Sequence, residues 1–240
     1  MTGGTVTDRL AAVRESIATA CARAGRCASG VRLVAVSKRV PLPLVLEAAR
    51  AGQRDFGENR VQDALARQDE VRTAVGGPET GAPELAWHFI GHLQRNKAAR
   101  VAGRFALVHG VDSVEAAARI SRRCEADGTA QALLLEVNIS GEAQKDGLDP
   151  ATVVDAVGAV AGLPGVDLQG LMGMARFDAE TAELGRTFAR LRTLAADAAR
   201  QTGRPLPELS MGMSDDYEVA IAEGATIVRV GSAIFGPRPA

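Results

Sequence analysis

Eight short apolar runs recur along the chain about every 28 residues, close to the ~30 residues of a strand–helix–strand unit. In order they are LVAVSK (33–38), RDFGEN (54–59), WHFIG (87–91), ALVHGV (106–111), ALLLEVNIS (132–140), LQGLMGM (168–174), ELSMG (208–212) and IVRVG (227–231). The stretches between them read as amphipathic helices; Val153, Val154, Val157, Val160 and Ala161, for example, share one helical face. Eight alternating β and α units in 240 residues predict an α/β fold, a single (β/α)8 TIM-like barrel. A doubly wound open sheet is the alternative, but it usually carries a glycine fingerprint after its first strand, and here that strand runs into SKRVPLP. Hydrophobic residues make up 46% of the chain and aromatics only 3%, so the core must be built from aliphatic side chains, which suits covered parallel strands. An extra N-terminal helix is expected over 7–24, where Leu10, Val13, Ile17, Cys21 and Ala24 fall at helical spacing. The Gly/Pro-rich GGPETGAP (76–83) precedes a strand, which puts it at the barrel face opposite the usual site, as a surface loop. With no internal repeat and no linker, residues 1–240 are expected to form one domain.

The 28 basic and 29 acidic residues nearly cancel, which favours neither nucleic acid nor an anionic membrane as partner. Cys21, Cys27 and Cys124 form no CxxC pair and leave an odd thiol, as in a reducing compartment. The opening MTGGTVTDRL has no secretory pattern, and no run approaches the ~18 apolar residues of a membrane span. A cytoplasmic protein is expected.

Barrel sites form at the carboxyl ends of the strands. Those ends carry Lys38, Glu58, Asn59, Gly91, His92, Asn138, Met174, Gly212 and Gly231. Lys38 shares an alternation with Val34 and Val36; at a barrel mouth, desolvation favours the neutral amine that attacks a carbonyl. Its plainer role is a strand-end lysine reaching water. Arg229 interrupts a run otherwise suited to a buried strand, so something must accept its hydrogen bonds: a neighbouring carboxylate, a bound anion or a heteroaromatic nitrogen. Gly231-Ser232, opening a short helix after the eighth strand, offers backbone N–H groups where barrels often bind phosphate. His88 and His92 lie four apart on one strand face, but two histidines without a third ligand make no zinc site; His88 is expected to pack against or hydrogen-bond a ligand. Asp215-Asp216 is read as helix capping. No HExxH, GxSxG or GxxxxGK[ST] is present. Amine, guanidinium and phosphate site together fit pyridoxal 5′-phosphate (PLP) better than metal chemistry.

The ordered strings LVAVSK, FGEN, WHFIGHLQRNK, VNIS with KDGL, GLMGM, SMGMSDD and VRVGSAIFG, spread from residue 33 to 236, resemble the pyridoxal phosphate homeostasis protein family. The resemblance implies a barrel like the amino-terminal domain of alanine racemase, with PLP as cofactor. It places Lys38 as the lysine forming the Schiff base, Ser210, Gly231 and Ser232 at the phosphate, and Arg229 facing the pyridine nitrogen. Asn59 and His88 match residues near the cofactor. Ser232 stands where many relatives have threonine, which keeps the hydroxyl. An arginine cannot take up a proton, so the ring nitrogen stays largely neutral and carbanion chemistry is held back.

The resemblance therefore implies a PLP-binding protein of intracellular PLP homeostasis, not an enzyme with robust turnover, with PLP-dependent enzymes as transient partners. A PLP-dependent amino acid racemase is the alternative; such barrels pair the lysine with a catalytic tyrosine and use a second domain. Here the only tyrosine, Tyr217, falls on the helix after strand seven, and the chain stops at the eighth strand and its helix, so a monomer is expected. A barrel acting on a phosphorylated sugar through Lys38 is the third reading, and it predicts a colourless protein.

Overall fold

A computed structural model describes residues 4–76, 84–142 and 144–237. Its strands are β1 (Arg32–Val36), β2 (Asp55–Glu58), β3 (Ala86–Phe89), β4 (Leu107–Val111), β5 (Gln131–Val137), β6 (Val166–Gly173), β7 (Glu208–Ser210) and β8 (Ile227–Val230). All pair in parallel and in chain order, and β1 also pairs with β8, so the sheet closes into a barrel. The sequence runs locate all eight strands. All but β4 stop one to three residues before the apolar run does, because the last residues leave the ladder to build the loops of the carboxyl face.

The helices are α1 (Val6–Arg23), α2 (Leu42–Arg50), α3 (Val61–Val75), α4 (Val114–Asp127), α5 (Val153–Ala161), α6 (Thr181–Thr202), α7 (Tyr217–Ala222) and α8 (Ser232–Phe235). The β3–β4 connection differs from the expected helix. It holds a 3-10 turn, Arg95–Arg100, which packs against α4 and buries Ala98. On α5 the predicted face is the buried one: Val153, Val157 and Val160 are fully covered. The extra helix α1 starts at a capping box, Thr5 Oγ1 accepting from Asp8 N–H and Asp8 Oδ2 from Thr5 N–H. It lies against α2, α7 and α8. The last two helices have only six and four residues, too short to cover the barrel beside them, and Leu10, Val13 and Ile17 of α1 supply the missing apolar face. Arg9 Nε to Ile234 O (2.7 Å) and Arg26 Nη1 to Ile221 O (2.7 Å) tie it there.

Most buried apolar residues form one cluster between sheet and helices. Inside the barrel a second, small cluster holds Val34, Leu107, Leu134, Met172 and Ile227. Barrel interiors are usually filled by layers of such side chains; here polar groups share the interior. Among the described residues no helix is long and apolar enough to cross a membrane. Residues 77–83 of the Gly/Pro-rich segment lie outside the described residues.

Candidate functional site

The interruptions in the apolar strands meet inside the barrel. His109 Nδ1 on β4 lies 2.8 Å from Ser210 Oγ on β7, and those strands are not neighbours in the sheet, so the bond crosses the interior. Arg229 Nη1 on β8 donates to the same hydroxyl at 2.6 Å, and Nη2 reaches Gly173 O at 3.4 Å. In the other direction His109 Nε2 meets His88 Nδ1 at 3.0 Å, and His88 Nε2 meets Asp55 Oδ1 at 3.0 Å. His88, His109, Ser210 and Arg229 are all buried, while Asp55, the first residue of β2, reaches the surface at the amino-terminal face.

This placement changes two expectations. His88 has both ring nitrogens engaged by Asp55 and His109, so it is a link in the interior chain rather than a group offered to a ligand. Ser210 lies inside the barrel under Arg229, away from the Gly231 turn. Ser214 stands at that turn instead: its Oγ accepts from Gly231 N–H at 3.2 Å and from Ala233 N–H at 3.5 Å. Two backbone donors converging on one oxygen is the arrangement an anion's oxygen needs. Gly231 also brings the chain against the barrel wall, since a Cβ there would lie 3.3 Å from Val36 Cβ.

Lys38 follows β1 at the carboxyl face and is half-buried. The turn is sharp: Arg39 adopts φ 59°, a left-handed conformation that costs a non-glycine residue about 1–2 kcal/mol. Asn59 follows β2 and lines, with Arg60, Gly91, His92 and Lys97, a cavity of about 530 Å³ on the same face. Ser232 opens α8, one residue past Gly231. His92 lies outside β3, half-exposed, with Nδ1 3.4 Å from Asp112 and 3.2 Å from Asp146, so it does not share the setting of His88. Asp216 stands just before α7 but its side chain makes no capping bond; its Oδ1 accepts from Met213 N–H at 2.5 Å and closes the loop after β7. Tyr217 is packed in the outer core.

Sequence reasoning missed Asp55, His109, Glu136 and Ser214. His109 and Glu136 carried the same signal as Arg229, an ionisable residue within an apolar run. Glu136 is buried on β5 with its Oε2 unpartnered among the described residues, and it alternates with Leu134 of the inner cluster. Burial pulls the Arg229 guanidinium down to about 10, opposed by Glu136 and Asp216. Burial likewise pushes the Glu136 carboxyl up to about 7, opposed first by Arg229. His109 is held well below its ordinary value by burial and then by His88 and Arg229, so it stays neutral.

The Glu136 shift has a consequence for stability. Unfolded, this carboxyl releases its proton near 4.5; folded, it keeps it to about 7. Between those values the folded chain binds more protons, so its contribution to stability is present at low pH and lost as pH rises through about 7. Urea unfolding of cofactor-free protein should show this fall, and Glu136→Gln should flatten it. An unchanged slope in that variant would place the titration elsewhere.

Four resemblances bear on this site. The sequence matches the family described as "Alanine racemase, N-terminal domain" over residues 9–239. A pyridoxal phosphate homeostasis protein of Pseudomonas aeruginosa is 43% identical over 234 residues, 98% of this chain and 96% of that protein. The structure of PipY from Synechococcus elongatus with PLP bound is similar at TM-score 0.82 and 38% identity, covering 97% of this chain and 100% of that one. An alanine racemase from Corynebacterium glutamicum shares the fold at TM-score 0.66 and 20% identity, covering 96% of this chain and 62% of that one.

Proposed function

The chain belongs to the pyridoxal phosphate homeostasis protein family, and on that premise we propose that it holds PLP in the barrel mouth as a carrier involved in intracellular PLP homeostasis. The observation that carries the reading is the buried Arg229 guanidinium, which forms no ion pair within 4 Å among the described residues and sits at the same barrel end as the Gly231–Ala233 turn. The residues present fit the group. Arg229 is a fixed donor for a ring nitrogen, the Gly231 and Ala233 N–H groups and the Ser214 and Ser232 hydroxyls suit a phosphate, and Lys38 supplies an amine for an aldehyde. When bound, PLP supplies an aldehyde that links to an amine and a pyridine ring that can accept electrons.

Lys38 holds the aldehyde carbon. Ser214, Gly231, Ser232 and Ala233 hold the phosphate. Asn59 bounds the mouth beside β2. Arg229 keeps its own proton at the ring nitrogen, so the ring is held without the protonation that strengthens an electron sink. Ser210, assigned above to the phosphate by resemblance, is taken here as the anchor of Arg229. Ser214→Ala should weaken PLP binding about tenfold, the effect of one charge-assisted hydrogen bond, in a fluorescence titration that leaves Lys38 reactivity intact. Unaltered binding would remove Ser214 from the phosphate site.

The same reading makes the chain a binding protein without robust turnover. Tyr217, the only tyrosine, lies packed in the outer core rather than at the mouth, which disfavours a racemase of the lysine–tyrosine type. Substantial conversion of alanine or serine, abolished in Lys38→Ala, would overturn this. Residues 1–240 are taken as one PLP-binding unit, cytoplasmic and monomeric, with PLP-dependent enzymes as transient recipients and no nucleic-acid or membrane partner. Among the described residues Phe177 is the one large apolar side chain left exposed, little surface for a stable interface.

A further inference from the structure

Arg229 and Asp55 end the interior chain in opposite roles. A guanidinium only donates and a carboxylate only accepts. Ser210 must therefore accept from Arg229 Nη1, which leaves its own hydrogen for His109 Nδ1, 2.8 Å away. A neutral His109 then carries its proton on Nε2 and donates it to His88 Nδ1. His88 in turn carries its proton on Nε2 and donates to Asp55 Oδ1. Each donor finds an acceptor, and every bond points from Arg229 toward Asp55.

The opposite order fails at both ends. With His109 protonated on Nδ1, Ser210 would accept twice, and no other acceptor for its hydrogen is found among the described residues. His88 would then donate from Nδ1 and turn a lone pair toward the Asp55 carboxylate, unless that buried ring were charged. A His88 ring protonated on both nitrogens would put the His109 proton on Nδ1 and again leave the Ser210 hydrogen without an acceptor among the described residues.

We propose that Asp55, at the amino-terminal face of the barrel, is a positioning residue for Arg229 at the other end, fixing through His88, His109 and Ser210 one proton arrangement and so one orientation of the guanidinium. Of these five linked residues only Asp55 is more than marginally open to solvent, its side chain a quarter exposed and Arg32 Nε 3.9 Å away. A substitution at one face of the barrel is thereby felt at the other without any group in between contacting ligand. The role assigned to Arg229 toward PLP rests on the function proposed above; the proton arrangement does not.

The test separates the two. Long-range nitrogen–proton NMR on histidine-labelled, cofactor-free protein reads the tautomers, and with three histidines in the chain, His92→Gln identifies the remaining two. Wild type should show both His88 and His109 protonated on Nε2. Asp55→Asn, which keeps an acceptor oxygen, should retain both. Asp55→Lys sets a donor against a donor, so His88 should move to the Nδ1 form or a mixture, and the PLP dissociation constant should rise about tenfold. Glu208→Gln, at the same face but outside the chain, should change neither. A wild-type Nδ1 tautomer at either ring overturns the proposal, whether or not Asp55→Lys folds. Unchanged tautomers or unchanged affinity in a folded Asp55→Lys overturns the positioning role. Should wild type bind no PLP, the reading of function fails and the tautomers alone decide this one.

Discussion

Lys38→Ala should abolish covalent retention of PLP after borohydride and weaken equilibrium binding by about a hundredfold or more, since it removes the one covalent bond between protein and ligand. The chain has three lysines. Lys145 pairs with Glu142 and reaches the Ala175 carbonyl at 3.4 Å, and Lys97 lines the open cavity beside Asn59, so neither stands at the end of β1. Lys38→Arg separates charge from nucleophile: it keeps a cation at the same place but offers no neutral amine at ordinary pH. It should retain weak phosphate-driven binding and lose the visible band just as Lys38→Ala does. A band that survives in either variant would move the aldehyde to another amine.

Gly91→Ala should cost about 3 kcal/mol or more of folding stability, at the severe end of single substitutions. A Cβ at Gly91 would lie 2.3 Å from Asn59 O and 2.8 Å from Asn59 C and Cα, all of them backbone atoms that no rotamer change can move away. The crowding continues to the next strand, because a Cβ at Gly110 would lie 2.2 Å from Gly91 O. The ends of β2, β3 and β4 therefore converge through glycine, and this convergence sets where Asn59 stands at the mouth. Denaturant unfolding measures the loss. A variant as stable as wild type, with PLP binding intact, would show that this rim gives way easily.

The barrel was legible because its strands are continuous aliphatic runs at regular spacing, a pattern that burial on both faces of a parallel sheet imposes. The sequence did not reveal that the β3–β4 connection would be a 3-10 turn, since Ala98 and Val101, three apart, suit one face of either helix type. Among the proposed site residues, Lys38 and Gly231 are reached by position at strand ends, and Arg229 by the cost of burying it. Ser210 and Ser214 lie four apart in SMGMS, and spacing alone cannot tell which faces the interior and which the turn. Between them stands Gly212, whose φ of 93° breaks the two-residue alternation of an extended strand. Asp55 was unreadable for another reason. It lies at the opposite end of the barrel, and only a bond between non-neighbouring strands connects it to the mouth.

The function proposed for this barrel turns on the covalent hold of Lys38 on PLP. Its most direct test is borohydride reduction of PLP-loaded wild-type protein, followed by mass mapping of the three lysine-containing peptides. One reduced adduct is expected, on the Lys38 peptide alone. An adduct on Lys97 or Lys145 with Lys38 unmodified, or no adduct at saturating PLP, would contradict it.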